Sequence, residues 1–152
     1  MEYAFILMIF MTMLLGIMEF GRALYAYHFV SNAAREATRW AAVNGATCGP
    51  PPGGDNSCIA GYGMNTGPAT QTDIQNYVTN HTPLGIDPSP AKLIATATWP
   101  VQVSGPTICT TTQNAAGCTV QVQVSYSFNF IFPFVHTSPL TLSSTSEMVI
   151  VH

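Results

Sequence analysis

Four cysteines fall into two close pairs, Cys48 with Cys58 and Cys109 with Cys118. Neither pair has metal-ligand spacing, and no histidine stands near enough in sequence to complete a zinc site. The histidines, His28, His81, His136 and His152, are scattered, with no HExxH and no pair at helical spacing. Asp55, Asp73 and Asp87 occupy expected turns or a helix cap, where local backbone hydrogen bonds account for the residue type. There is no G-x-S-x-G and no phosphate loop. Catalysis is therefore not expected, and no metal or other cofactor is implied. Tyr25, Tyr27, Phe29 and Trp40 recur at helical spacing, which predicts core or subunit interface rather than an aromatic relay. The chemistry left to the cysteines is oxidation. In an exported domain each pair predicts a disulfide closing a loop of about ten residues, worth roughly 2.5–3 kcal/mol on the chain-entropy model. Each pair flanks a loop rich in Gly, Pro or Asn that has little else to hold it. Four free thiols in a cytosolic protein are the alternative.

The second chemical feature is a carboxylate at the edge of an apolar run. The chain opens "MEYAFILMIFMTMLLGIMEFGR", so Glu2 precedes a charge-free stretch that ends at Glu19 and Arg22. Carried unpaired to mid-membrane, a carboxylate costs about 2.5–3.5 kcal/mol. The nearest cation along the helix is Arg22, roughly 30 Å away. Two partners remain. Glu2 is either a first-turn residue favoured by the helix dipole at headgroup level, or it meets the N-terminal amine of another subunit during assembly.

The elements that position these groups follow from composition. Only 7% of the 152 residues are charged and 47% are hydrophobic, which suits one domain plus a tail and not a charged disordered chain. The net charge is −3 with a single lysine, Lys92, so no basic patch exists to neutralise nucleic-acid phosphates. A surface this poor in charge is expected to pack against copies of itself or to be covered by modification.

Residues 1–45 predict one long helix. No proline lies between Glu2 and Asn44, and the stretch then stops at "NGATCGPPPGG". At 1.5 Å per residue its length is roughly 65 Å, so it must project from a domain of this size. Residues 3–18 are apolar all round, as for a segment surrounded by lipid or by other protein. In the second half Ala23, Ala26, Ala33, Ala34, Ala37 and Ala41 keep the cross-section small, so a sheet or helix can approach closely. Arg35, Glu36 and Arg39 mark the wetter side. A cleavable signal would end near a small-residue cleavage site, yet the helical pattern runs on through Trp40. A plain single-pass anchor would carry Lys or Arg before the run. Both absences predict a mature product from which a basic leader has been removed.

These residues resemble the N-terminal region of TadE-like proteins, pilin-like proteins of the tight-adherence branch of type IV pilus systems. The resemblance rests on Glu2-Tyr3, the apolar run, Glu19-Phe20-Gly21-Arg22, Asn32-Ala33-Ala34-Arg35-Glu36 and Trp40-Ala41-Ala42. The C-terminal "VQVQVSYSFNFIFPF…LTLSSTSEM" also resembles the family's final strands. The resemblance implies a prepilin cut by a prepilin peptidase, held in the inner membrane, then drawn by the pilus assembly machinery into a surface filament. In related pilins the acid lies further from the mature N-terminus than Glu2 does here. The family's apolar run also often carries a proline near its middle; residues 3–18 have none, which favours an unbroken helix. Many relatives are minor components.

Residues 46–152 predict a disulfide-containing, β-rich globular domain. "TDIQNYVTNH" reads as a short helix with Ile74, Tyr77 and Val78 on one face and Thr72 or Asp73 as its cap. Three segments then alternate with period two, the mark of half-buried antiparallel strands. In "KLIATATWPVQV" the inward set is Leu93, Ala95, Ala97, Trp99, Val101 and Val103. In "TVQVQVSYSFNFIF" it is Val120, Val122, Val124, Tyr126, Phe128, Phe130 and Phe132. In "LTLSSTSEMVIV" Leu140, Leu142, Met148 and Ile150 share a face. Pro100 marks an edge or a bulge, and a Cys109–Cys118 bridge would staple the loop between the first two strands. The fold expected is α+β and type IV pilin-like: a long N-terminal helix with a three- or four-stranded antiparallel sheet packed on its second half. The sheet's outward face is Thr, Ser, Gln and Asn. Edge strands without lysine are prone to pair with other chains. Asn80 begins an "NHT" sequon, and the many Ser and Thr could carry O-linked sugar.

Three functions fit. The first is a structural subunit forming a helical homopolymer, an extracellular filament, with Glu2, Tyr3, Phe5, Phe10, Leu14, Glu19 and Arg22 as candidate assembly residues. The second is a minor or priming pilin of the same fold. The third is a membrane-anchored surface module that binds a sugar or receptor through Trp99, Tyr62 or the 48–58 loop.

Overall fold

A computed structural model describes residues 2–45, 68–104, 107–109, 114–131 and 139–151. The first element, α1, is a single 42-residue helix, Glu2–Val43. With no proline to remove a donor and two glycines, Gly16 and Gly21, it runs unbroken for roughly 63 Å. It ends at Asn44, whose backbone N–H and side-chain Nδ2 both donate to Trp40 O. The last turn's free carbonyls find partners from far along the chain: Ala42 O accepts from Val151 N and Asn44 O from Ala69 N.

The remaining elements are α2 (Gln71–Asn80), β1 (Leu93–Thr98), β2 (Gln102–Ser104), β3 (Thr107–Cys109), β4 (Thr119–Phe128) and β5 (Leu140–Val149). β1, β4 and β5 form an antiparallel sheet in that order, with β4 central. β2 and β3 pair as a separate antiparallel ribbon. Helix α1 lies across β4 and β5, and α2 covers β1. This is the α+β arrangement expected, with the sheet on the second half of the long helix.

The alternation in β4 does what period two demands. Val120, Val122, Val124, Tyr126 and Phe128 are buried against α1, while Gln121, Gln123, Ser125 and Ser127 face out. Burying each large apolar side chain contributes about 1.5–3 kcal/mol. The matching stripe on α1 is Ala26, Val30, Ala34, Ala37 and Ala41, all buried. Alanines let the helix approach the strands closely: Thr38, also buried, donates to Ala34 O at 2.6 Å and lies 3.3 Å from Ser146 O of β5. Ser144 and Ser146 stand on the inward face of β5 where the helix passes nearest.

Three expectations are corrected. The first predicted strand does not run to Val103. Trp99 and Pro100 end it at Thr98, because proline has no N–H for a ladder; Val101 is 64% exposed, and the chain resumes as β2 in the other sheet. The second stops at Phe128 rather than Phe132. The cap of α2 is Thr70, not Thr72 or Asp73: its hydroxyl receives the Asp73 N–H, and the Asp73 carboxylate receives the Thr70 N–H at 2.9 Å. Asp73 is thus the reciprocal partner of a capping box. Leu140, Leu142 and Met148 share the inward side as expected, but Leu140 and Met148, toward the two ends of edge strand β5, stay exposed.

Candidate functional site

The side chains of Tyr3, Phe5, Phe10 and Leu14 are all exposed, as are their apolar neighbours up to Met18. α1 is long and apolar enough to cross a membrane. Glu2 opens the helix; its side chain lies outside what is described.

Glu19 behaves differently. Among the described side chains of α1 it is the first to be buried, at 5% exposure. Arg22, one turn on, donates through Nη1 to both carboxylate oxygens at 2.9 and 3.0 Å. The guanidinium also sits over the Phe128 ring, 5.4 Å from its centroid, and Phe128 meets Phe130 edge to face at 5.2 Å. The two charges that close the apolar run therefore neutralise each other within one chain. Arg22 stacks on the end of β4, a favourable place for a partly desolvated cation.

Glu19 belongs to a longer line of residues. Thr12, Gly16, Glu19 and Ala23 continue the buried stripe of Ala26, Val30, Ala34, Ala37 and Ala41 toward the N-terminus at helical spacing. Where this stripe leaves the sheet, it walls an open groove of about 470 Å3, closed on the other side by Phe130 and Leu140. The groove is almost wholly apolar.

The other clusters are explained by packing. Tyr77 of α2 stacks on Trp40 of α1 with centroids 5.0 Å apart and donates to Glu36 Oε1 at 3.0 Å. His81 lies 4.2 Å from the Tyr77 ring. These contacts fasten α2 to α1, so Trp40 takes a core role and Glu36 is a hydrogen-bond partner on the otherwise exposed side with Arg35 and Arg39. Asp87 pairs with Lys92 at 2.9 Å and accepts from Ser89 N at 3.0 Å. The Lys92 ammonium, aided by that backbone N–H, lowers the Asp87 pKa to about 2, and Asp87 in turn raises that of Lys92. Among the described residues no three His, Cys, Asp or Glu side chains come together as a metal site.

Cys109 and Cys118 form the expected disulfide, joining the end of β3 to the residue before β4. The Cys48–Cys58 pair, Asp55, Tyr62, His136 and His152 lie outside the described residues. Trp99 is partly buried against the core.

Sequence reasoning missed Gln71 and Gln75. These stand one turn apart on α2 and bind the free edge of β1. Gln71 donates to Ala95 O at 2.6 Å and accepts from Ala97 N. Gln75 accepts from Ala95 N at 2.6 Å and donates to Leu93 O at 3.1 Å. Their spacing of four in a short polar helix was visible, but nothing in sequence names the strand they cap. The opposite edge, β5, has no strand on its outer side among the described residues. It carries neither lysine nor proline.

Residues 1–39 match the family model described as TadE-like protein. The N-terminal segment is thus TadE-like, as its residues suggested, and the match covers the apolar run, the Glu19–Arg22 turn and the start of the sheet-packing half. No curated protein and no solved structure matches the chain.

Proposed function

We propose that this chain is a pilin-like structural subunit of a tight-adherence pilus, non-enzymatic, polymerising through α1 into an extracellular filament. One observation carries the proposal. The second half of α1 is docked on the sheet, while the apolar side chains of residues 3–18 are left uncovered by their own chain. Such a surface needs another solvent: lipid before assembly, and the same segment of neighbouring subunits afterwards. Covering each large side chain contributes about 1.5–3 kcal/mol relative to water, which holds a bundle of such stems together outside the membrane.

In this scheme the inner membrane stores the subunit, a prepilin peptidase prepares it, and the assembly machinery transfers the stem from lipid to filament. The TadE-like match over residues 1–39 supports a pilus-associated role. The sheet's outer face, with Thr96, Gln123, Ser143 and Thr145, stays outside, where its near-absence of charge suits close packing of copies. A minor or priming pilin shares every one of these features and differs in stoichiometry.

Electron microscopy of material sheared from cell surfaces, without detergent, tests the proposal. Uniform filaments built mainly of this chain are expected, and Glu2→Ala should reduce their yield while the Cys109–Cys118 domain stays folded. Dispersed particles alone, or filaments in which this chain is a trace component, would exclude the major-subunit reading.

A further inference from the structure

The charge-free run Tyr3–Met18 spans about 24 Å of helix. A bilayer's hydrocarbon core is about 30 Å thick. With Glu2 at the far headgroups, an upright α1 reaches the near boundary at about Arg22, and any tilt moves that boundary further toward the sheet. Glu19, Arg22 and whatever packs beside them must then lie at lipid level.

What packs beside them is apolar. Phe130 and Leu140 face Thr12 and Gly16 across the groove, so the end of β4 and the start of β5 reach past Glu19 toward the apolar half of α1. Ile131, the residue after Phe130, is 68% exposed. From another loop, Leu84 comes to the same region of the helix: its carbonyl accepts from the Tyr25 hydroxyl at 3.3 Å. The Leu84 side chain is 97% exposed, next to Gly85, whose φ of 94° makes the turn. Two separate segments of the chain thus each leave an aliphatic side chain bare. Tyr25 and Tyr27, both exposed, stand where interfacial aromatics are enriched.

We propose that, before assembly, the base of the globular domain rests in the lipid interface, with Leu84 and Ile131 inserted among the acyl chains. The Glu19–Arg22 pair sits at the hydrocarbon boundary, tolerated there because each charge neutralises the other and the carboxylate is covered by protein. The surface is continuous with the membrane-spanning stem, which is what selects lipid as its occupant. The inference rests on the reading of α1 as membrane-embedded before assembly.

The test places one tryptophan at a time in the full chain, reconstituted in phosphatidylcholine–phosphatidylglycerol vesicles with brominated acyl chains. Trp40 and Trp99 of the parent supply a constant background. Leu84→Trp and Ile131→Trp are both exposed substitutions and should lose emission to bromine, as Leu14→Trp in the stem does, whereas Thr145→Trp on the outer sheet face should not. If Leu14→Trp is quenched while positions 84 and 131 behave like 145, the inference is overturned and the stem remains a membrane segment. A blue shift at 84 and 131 without bromine quenching would assign the surface to a second copy and overturn it equally. Absence of quenching at Leu14 would remove the membrane reading itself, and the inference with it.

Discussion

Gln75 holds Ala95 as a neighbouring strand would: its Oε1 accepts the Ala95 N–H at 2.6 Å while its Nε2 donates to Leu93 O. Gln71 repeats the arrangement on Ala95 O and Ala97 N. Two side-chain amides thus close one edge of the sheet, and the other edge is left to β5. Sheets whose edges are unprotected pair with other chains; among the described residues this sheet has one blocked edge and one open edge.

Replacing both glutamines by alanine should therefore have two effects. Stability should fall by about 1–3 kcal/mol for each buried backbone group left unpaired, tempered where water enters. The urea midpoint of the full chain in detergent micelles measures this. The double variant should also self-associate through β1, visible as a mass increase by light scattering at unchanged detergent concentration. An unchanged midpoint would mean that water replaces the amides at no cost.

The Glu19–Arg22 pair predicts an asymmetry. Arg22→Met leaves a carboxylate buried without its cation. Arg22 is itself 40% exposed, so the cost should be about 1–3 kcal/mol, below that of breaking a fully buried pair. Glu19→Gln combined with Arg22→Met should recover part of the loss. Thermal unfolding of the single and double variants in micelles completes the cycle, and equal losses in both would show that the carboxylate is not penalised.

The Cys109–Cys118 bridge closes a loop of sequence separation 9. Cys109→Ala with Cys118→Ala should cost roughly 2.5–3 kcal/mol by loop-closure entropy. Both sulfurs are buried, so alanine is preferred to serine, which would bury a hydroxyl. The shift in denaturant midpoint relative to the oxidised parent reads the loss from this bridge; a reduced parent would also lose any Cys48–Cys58 bridge.

Acid should probe Asp87. Its folded pKa is lowered from 3.8 to about 2, so the stability it contributes is present above the unfolded value and is lost as pH falls through about 2. Lys92 has the opposite sign: its contribution is present below its unfolded pKa and disappears as pH rises through the raised folded one. Both groups are exposed, so the effect is small and screened by salt. Asp87→Asn should lower the neutral plateau of a stability–pH profile slightly and flatten its acid limb. A profile identical to the parent's would mean that the pair is not maintained in solution.

Much of this architecture is local information. The absence of proline from Glu2 to Asn44 determines one helix, because each i to i−4 bond depends on near neighbours alone. The alternation from Val120 to Phe128 determines a strand and its buried face, because side chains on a strand point to alternate sides. The spacing of Cys109 and Cys118 across a breaker-rich loop made their bridge legible. Even the candidate stem residues Tyr3, Phe5, Phe10 and Leu14 were visible as apolar side chains with nothing nearby to cover them. Tertiary structure decided the rest, where the deciding contact lies between residues far apart in the chain. Glu19 and Arg22 looked like two charges ending a run; the nearby sheet end, through Phe128 and Phe130, makes them a covered pair beside an apolar groove. Gln71 and Gln75 read as polar residues of a short helix until the strand at positions 93–97 came to lie beside them. The exposed leucine at position 84 gained a place only when Tyr25, 59 residues earlier, bonded its carbonyl. Sequence periodicity specifies which face of an element is apolar, but which surface meets it, and which is left bare, depends on how the elements pack.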